Sequence, residues 1–283
     1  MVWGEYTDMK CAIFIISYNR AGRVETYSAL RDAGFLGEIF VVIDVNDPQY
    51  IEYLTRFGKE LISYSKVNEK LSADTLESEK RESSAVYARN AVESIAKYMR
   101  LDAFIILDDD ITSFRYRWMQ GGVCKSLRIT QYIDRILLAY ISYMLSCDIA
   151  TLSFENCMFY VGGVTEDKIS NERWTYQIHI RNTNFPVEWK SIINEDIITE
   201  ISTATRGYIW WSLPYVVYDA VAMNEKSGGN KDNYDTFSEF KRAMFATIAN
   251  PSSCMPGYSH GKLRIIQNKK ASYPMIVSSR YKK

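Results

Sequence analysis

The 283-residue chain carries no surplus of either charge: 34 Lys and Arg stand against 34 Asp and Glu, and the pI is near 6.8. That balance argues against a protein held on nucleic acid by a uniform basic field, although a local basic groove can hide inside a neutral total. Paired cysteines are missing as well. The five cysteines, at positions 11, 124, 147, 157 and 254, are odd in number and form no CxxC spacing, so neither a disulfide framework nor a zinc ribbon is indicated. They read as buried free thiols. Long uncharged apolar runs are absent too. The most apolar stretch, 127–146, contains Arg128, Asp134 and Arg135, which suits a soluble packed helix and not a membrane span. The opening MVWGEYTDMK places acidic residues before the first apolar run and has no cleavage-site pattern, so it makes a poor signal peptide, and cytoplasmic residence is expected. No internal repeat is present, and no linker divides the chain.

What is present is apolar mass, 47% of residues with 14% aromatic, enough for a sizeable core in one large α/β domain. Cys11 to Ile16 (CAIFII) is a short run of branched and aromatic residues that stops at Ser17-Tyr18-Asn19-Arg20, as a buried parallel strand does at its polar end. Residues 21–34 predict a helix, with Val24, Tyr27, Leu30 and Ala33 three apart and Gly34 closing it. A second strand, Glu38 to Ile43, follows and ends at Asp44. Strand, helix and strand in this order make a right-handed crossover unit. Further along, the pattern predicts a short helix at 50–58, a strand at 61–63, a polar exposed loop at 64–84 and a helix from 84 to 99 with Glu93 and Lys97 as an i,i+4 pair in solvent. A third strong strand, Ala103 to Leu107 (AFIIL), runs directly into Asp108-Asp109-Asp110. Beyond it a helix is expected at 127–146, strands at 149–154, 157–162, 175–181 and 207–210, helices at 195–205 and 236–247, and a polar, basic tail. Residues 1–110 thus form one half of a single domain and 111–283 the other.

In an open parallel sheet, ligands bind at the carboxyl ends of the strands, where Ser17 to Arg20, Asp44 and the aspartate triplet should converge. Three adjacent carboxylates near a dry sheet end need a cation to compensate them, and oxygen-only ligands select Mg²⁺ or Mn²⁺ over a soft metal. The bland alternative is a solvated loop or a helix N-cap.

These elements, taken with Ala88-Arg89-Asn90 on the helix before the third strand, resemble the glycosyltransferases of the GT-A fold. The resemblance implies a mixed, mainly parallel α/β sheet flanked by helices, with a nucleotide-binding first half and an acceptor-binding second half carrying a smaller sheet. It implies that Ser17, Asn19, Arg20 and Asp44 bind the nucleotide, that Arg89 and Asn90 orient it, and that the aspartates form a DxD motif. Asp108 then lies near the ribose and the metal, Asp109 belongs to the donor site, and Asp110 ligates the metal directly.

Three later features extend the resemblance. Gly162-Gly163 is similar to the loop that lets backbone approach the donor sugar. Asn194-Glu195-Asp196 is similar to the xED motif, whose final acid is the base in inverting members. His260, in Ser259-His260-Gly261-Lys262, stands where many members place a metal-binding histidine. Each has a plainer reading: a turn, acids at a helix N-terminus, and a surface histidine. His179, the only other histidine, sits in strand-like YQIHIR and reads as structural. Under the resemblance, Lys262 and either Lys226 or Lys231 contact the diphosphate, and Asp196, assisted by Glu195, accepts the proton of the acceptor hydroxyl.

The acceptor half is rich in aromatics, among them Trp118, Trp174, Trp189, Trp210 and Trp211, interleaved with Arg115, Arg117, Lys125 and Arg128. Such side chains stack on sugars or bases, though most aromatics serve as core. The tail from Lys262 to Lys283 carries seven Lys or Arg and no acid. Compact size and the DDDI-x-x-F arrangement (Asp108 to Ile111, then Phe114) resemble the small bacteriophage enzymes that glycosylate hydroxymethylated pyrimidines in DNA. That resemblance implies a nucleoside-diphosphate sugar donor, a UDP-sugar by expectation, and DNA as acceptor. A glycan, lipid-linked or small-molecule acceptor stays open. So do a nucleotidyltransferase, disfavoured by the single Gly in SYNRAGR, and a non-catalytic nucleotide-binding module.

Overall fold

The computed structural model describes residues 9–72, 84–157, 174–221, 238–259 and 261–268. Its centre is a nine-stranded mixed sheet in the order β3-β2-β1-β4-β8-β7-β9-β5-β6. The first four are β1 (Cys11–Ile16), β2 (Ile39–Asp44), β3 (Leu61–Tyr64) and β4 (Ala103–Asp108), all parallel to one another. Every residue of β1 is buried, because helices cover both faces of this part of the sheet. On one face lie α1 (Glu25–Asp32), α2 (Tyr50–Phe57) and α5 (Ile133–Ser146), which share a core with Ile13, Ile15, Val41, Ile105 and Leu107. On the other, α4 (Ala85–Tyr98) packs its small residues Ala88 and Ala96 and its Val86 and Val92 against Phe14, Val42 and Phe104. A third short helix, α3 (Lys66–Ser72), follows β3.

The remaining strands are β5 (Ile111–Gln120), β6 (Val123–Arg128), β7 (Thr151–Asn156), β8 (Ile178–Asn182) and β9 (Trp210–Ala220). β8 enters antiparallel to β4, and β7 pairs antiparallel with β8 but parallel with β9. A smaller unit beside this sheet consists of α6 (Glu195–Ala204), α7 (Glu239–Ala249) and the antiparallel pair β10 (Cys254–Ser259) and β11 (Lys262–Gln267). Ile197, Ile198 and Ile201 of α6 meet Phe245 and Ala246 of α7 in a core of their own.

The mixed α/β expectation holds, with a large sheet, flanking helices and a smaller second sheet. Several boundaries differ. The helix expected from 127 begins only at Ile133: residues 123–128 are the edge strand of a β5–β6 hairpin, and Tyr132 has φ of 66°, which interrupts any helix running through it. Alternation along 111–120 is blurred because Phe114 and Arg117 are both buried there. The strand expected at 207–210 extends to Ala220, and the polar tail contains the β10–β11 hairpin. Part of the expected loop at 64–84 is α3. Glu93 does not pair with Lys97 in solvent. It accepts hydrogen bonds from Arg181 Nε at 2.9 Å and Trp189 Nε1 at 3.2 Å, because a buried guanidinium demands a carboxylate partner. Of the thiols, Cys11, Cys124 and Cys254 are buried, Cys147 is exposed, and all five are free. The strand expected at 157–162 lies almost wholly outside the described residues. Among the described residues no helix is long and apolar enough to cross a membrane.

Candidate active site

The carboxyl ends of β1, β2 and β4 open on one edge of the sheet, and the aspartate triplet is the turn from β4 into β5. Thr26, in the first turn of α1, clamps that turn: its hydroxyl donates to the Asp108 carbonyl at 2.6 Å and accepts from Ile111 N at 2.9 Å, while its own N–H donates to the Asp109 carbonyl at 3.2 Å. The three aspartates then point into three different environments.

Asp109 turns inward and is compensated. Arg20 Nη1 lies 2.7 Å from its Oδ1, and the Ser17 hydroxyl donates to its Oδ2 at 2.6 Å. Since that proton is committed, the Tyr53 hydroxyl, 2.6 Å away, donates to Ser17 Oγ and itself accepts from Arg20 N at 3.0 Å. Burial pushes the Asp109 carboxyl above its ordinary range, and Arg20 and Ser17 pull it back. Ser17, Arg20 and Asp109 are therefore brought together, but mainly to satisfy one another.

Asp108 keeps more of its surface, with its side chain 26% exposed, and accepts from Arg89 Nη2 at 3.1 Å. The Arg89 guanidinium is buried and lies 4.8 Å from the Trp189 ring, with Nη1 3.6 Å from Glu195 Oε1. Burial opposes its charge, while Asp108, Glu195 and Asp196 together outweigh burial and keep it protonated. Glu195 and Asp196 open α6, where backbone N–H groups favour acids, and Ile197 N donates to Asp196 at 2.8 Å. Asn194, at φ 54°, donates its amide to the Arg242 carbonyl and so ties this helix start to α7. Both acids have carboxyls raised above the usual range, first by burial and then by neighbouring acids, with Arg89 pulling the other way. One cation thus serves three carboxylates.

Asp110 is buried and accepts from Gln177 Nε2 at 2.7 Å. Between these groups stands Tyr218, fully buried on β9, whose hydroxyl is held protonated by burial and by the charges of Asp108, Asp110 and Asp196. Among the described residues, no three His, Cys, Asp or Glu side chains form a closed metal cage. The donor set still fits Mg²⁺ or Mn²⁺, which are held by one or two carboxylates with substrate phosphates completing the shell. An excess of hard oxygens over cations, and the Arg89 Nε and Nη1 left without hydrogen-bond partners, suit a site completed by a ligand that carries both phosphate and metal.

The other expected residues fall as follows. Asp44 is buried against Lys66, accepting from its backbone N at 3.1 Å and lying 3.5 Å from its Nζ, which also sits 4.3 Å from the Tyr18 ring centroid. Asn19 is exposed at φ 54° and donates its backbone N–H to Asp47. Asn90 spends its amide on Trp189, accepting from Trp189 N at 2.8 Å and donating to its carbonyl at 3.1 Å, so it fixes the ring beneath Arg89. His179 is fully buried between Trp189 and Trp210, with burial and the nearby Arg89 and Arg181 holding it neutral. Lys262 opens β11. Gly162, Gly163, Lys226, Lys231 and His260 lie outside the described residues. Of the basic residues expected to suit a nucleic-acid strand, Arg117 pairs with Glu155, Arg115 with Asp219 and Arg128 with Asp32. Gln177, Tyr218, Tyr53 and Lys66 were not foreseen. Gln177 and Tyr218 meet the aspartate turn only once β8 and β9 have joined the sheet, while Tyr53 and Lys66 are single helical residues that the fold brings to Ser17 and Asp44.

Residues 11–229 match the family described as TAGT, TET-Associated Glycosyltransferase. That span exceeds half of the chain, and the protein belongs to this family. The GT-A glycosyltransferase resemblance read from the sequence holds. No curated protein matches the chain. Similar solved structures include the mannosyltransferase PcManGT of Pyrobaculum calidifontis in complex with GDP-Man and Mn²⁺, at 15% identity and TM-score 0.47, covering 79% of this chain and 63% of that one. Residues 1–349 of S. aureus TarS in complex with UDP-GlcNAc give 12% identity and TM-score 0.49, covering 85% and 66%. The chain spans just under two thirds of the length of these structures.

Proposed function

We propose that the protein is a metal-dependent, inverting glycosyltransferase that moves a sugar from a nucleoside-diphosphate sugar, a UDP-sugar by expectation, to the 5-hydroxymethyl group of a modified pyrimidine in DNA. The observation that carries this reading is that Arg89 joins the aspartate turn to the acidic start of α6 at the carboxyl ends of the strands, with Nη2 at 3.1 Å from Asp108 and Nη1 at 3.6 Å from Glu195, the neighbour of Asp196. Asp110 and Asp108, with His260 as a further donor, would hold a Mg²⁺ or Mn²⁺, which would neutralise the charge that develops on the leaving diphosphate.

Around that centre the chain's own groups divide the work. Arg89, desolvated against Trp189, holds Asp108 and the acidic start of α6 in place, where a fixed guanidinium acts more strongly than it would in water. The Ser17–Tyr53–Arg20–Asp109 network holds the β1 end rigid, and Asp44 and Tyr18 line the place of the base. Asp196 takes the proton of the acceptor hydroxyl as its oxygen attacks the anomeric carbon, and the bond from that carbon to the diphosphate oxygen breaks. A carboxyl raised above the ordinary range is closer to the working pH, which makes it a better base than a free aspartate. A hydroxymethyl group inside a stacked duplex cannot reach the anomeric carbon, so the base leaves the stack. The family description, TET-associated, is consistent with a modified-pyrimidine acceptor.

The test combines Mn²⁺, a panel of sugar nucleotides and DNA with or without 5-hydroxymethylcytosine or 5-hydroxymethyluracil. Nucleoside diphosphate release and mass gain on the modified DNA alone are expected. Equal release with both DNAs counts against the DNA acceptor and favours a glycan, lipid-linked or small-molecule acceptor. Metal-independent binding without turnover favours a non-catalytic module.

A further inference from the structure

We propose that Gln177 is a positioning residue for Asp110, setting the direction in which that carboxylate meets a cation; this rests on the metal-dependent reading above. Gln177 immediately precedes β8 and grips the aspartate turn twice. Its carbonyl accepts from Asp108 N at 2.9 Å, and its side-chain amide donates to Asp110 Oδ1 at 2.7 Å. Gln177 makes both contacts with φ of 51°, a conformation uncommon for a non-glycine residue and held by its surroundings.

The enforcing groups form a chain whose polarity is set at both ends. A carboxylate accepts and does not donate, so Gln177 turns its NH₂ to Asp110 and its Oε1 away. That oxygen accepts from Asn156 Nδ2 at 3.1 Å. Asn156 also hydrogen-bonds the Tyr218 hydroxyl, and Tyr218 in turn donates to the Tyr176 carbonyl at 3.2 Å, the residue just before Gln177. Asn156 and Tyr218 sit opposite each other on β7 and β9. Two sheet strands thus anchor residues 176–177, and those residues aim Asp110. Partners of this kind, which do not touch the metal themselves, typically change metal affinity by about 10- to 100-fold.

The experiment is Mn²⁺ titration of the full chain by electron paramagnetic resonance, with UDP or GDP present, on wild type, Gln177→Met, Gln177→Asn, Asp110→Asn and the double variant Gln177→Met/Asp110→Asn. Gln177→Met keeps the length and loses the donor. Gln177→Asn tolerates the left-handed backbone but is one methylene too short, and it serves if the first variant folds poorly. Mn²⁺ affinity is expected to fall by about 10-fold or more in either single Gln177 variant and to be no lower in the double variant than in Asp110→Asn alone. Unchanged affinity in the Gln177 variants, or losses that simply add in the double variant, overturns the positioning role and leaves the metal site standing. Absence of Mn²⁺ binding by wild type overturns both this proposal and the metal-dependent reading.

Discussion

Two acidic clusters lie side by side at the same edge of the sheet and behave in opposite ways. Around Asp109, the charge is settled internally: Arg20 and Ser17 fill its oxygens, Tyr53 backs the Ser17 hydroxyl, and the side chains of the ion pair are only 11% and 6% exposed. Around Arg89, three carboxylates share one guanidinium, and burial, followed by the neighbouring acids, pushes two of them above their ordinary range against its pull. Neighbouring residues of one triplet therefore serve different ends. A compensated buried acid is costly to break because its partner is stranded, whereas an uncompensated group of acids is costly unless something from outside completes it.

Substitutions should separate the two clusters. Asp196→Asn is expected to lower sugar transfer by about 100- to 10,000-fold with donor binding retained, since it removes the base and leaves Arg89 with two acids. Full transfer by that variant, measured by nucleoside diphosphate release in the presence of acceptor, would sink the inverting-base assignment. Asp109→Ala should act on stability instead, costing about 3–5 kcal/mol because a buried ion pair with Arg20 and the Ser17 hydrogen bond are broken together; urea unfolding reads this directly. Asp110→Ala is expected to abolish metal-dependent nucleoside diphosphate release with little change in unfolding. Asp108→Asn, which lightens the acid excess, should alter stability by less than about 1 kcal/mol, so a loss as large as that of Asp109→Ala would erase the contrast between the clusters.

The pH dependence sharpens the same contrast. Glu195 and Asp196 have folded-state carboxyls raised above the unfolded values, so their protonated forms are favoured by folding. The stability they contribute is complete below the ordinary carboxylate range and is lost as pH rises through their raised values. Without divalent cation, the melting temperature is thus expected to fall as pH climbs from the ordinary carboxylate range toward neutrality, and Mn²⁺ with UDP should offset the fall. A melting profile in which Asp196→Asn shows the same decline as wild type would contradict this. Transfer activity should rise over the same interval as Asp196 ionises.

Much of the first half was legible because parallel strands buried on both faces are continuous apolar runs. CAIFII, IFVVID and AFIILD announce themselves, and the polar residues after them mark the ligand edge. Glu195-Asp196 were recognisable as acids opening a helix. The second half was harder. Arg117, Glu155 and Arg181 are charged yet buried in strands, which breaks the alternation that marks a half-exposed sheet, and the β5–β6 hairpin was partly mistaken for helix. The basic stripe around Arg115 to Arg128 looked available to an acceptor, but each arginine in it has a carboxylate partner that lies far away in sequence.

The sequence by itself determined the α/β class, the order of the parallel strands' polar ends and the presence of an acidic turn after β4. These depend on local apolar periodicity and on residues adjacent in the chain. Only the tertiary structure decided which aspartate is neutralised and which is left to a ligand. That choice depends on Arg20, Arg89 and Gln177, which approach the triplet from β1's end, α4 and β8, and on how much water each carboxylate keeps once they have arrived.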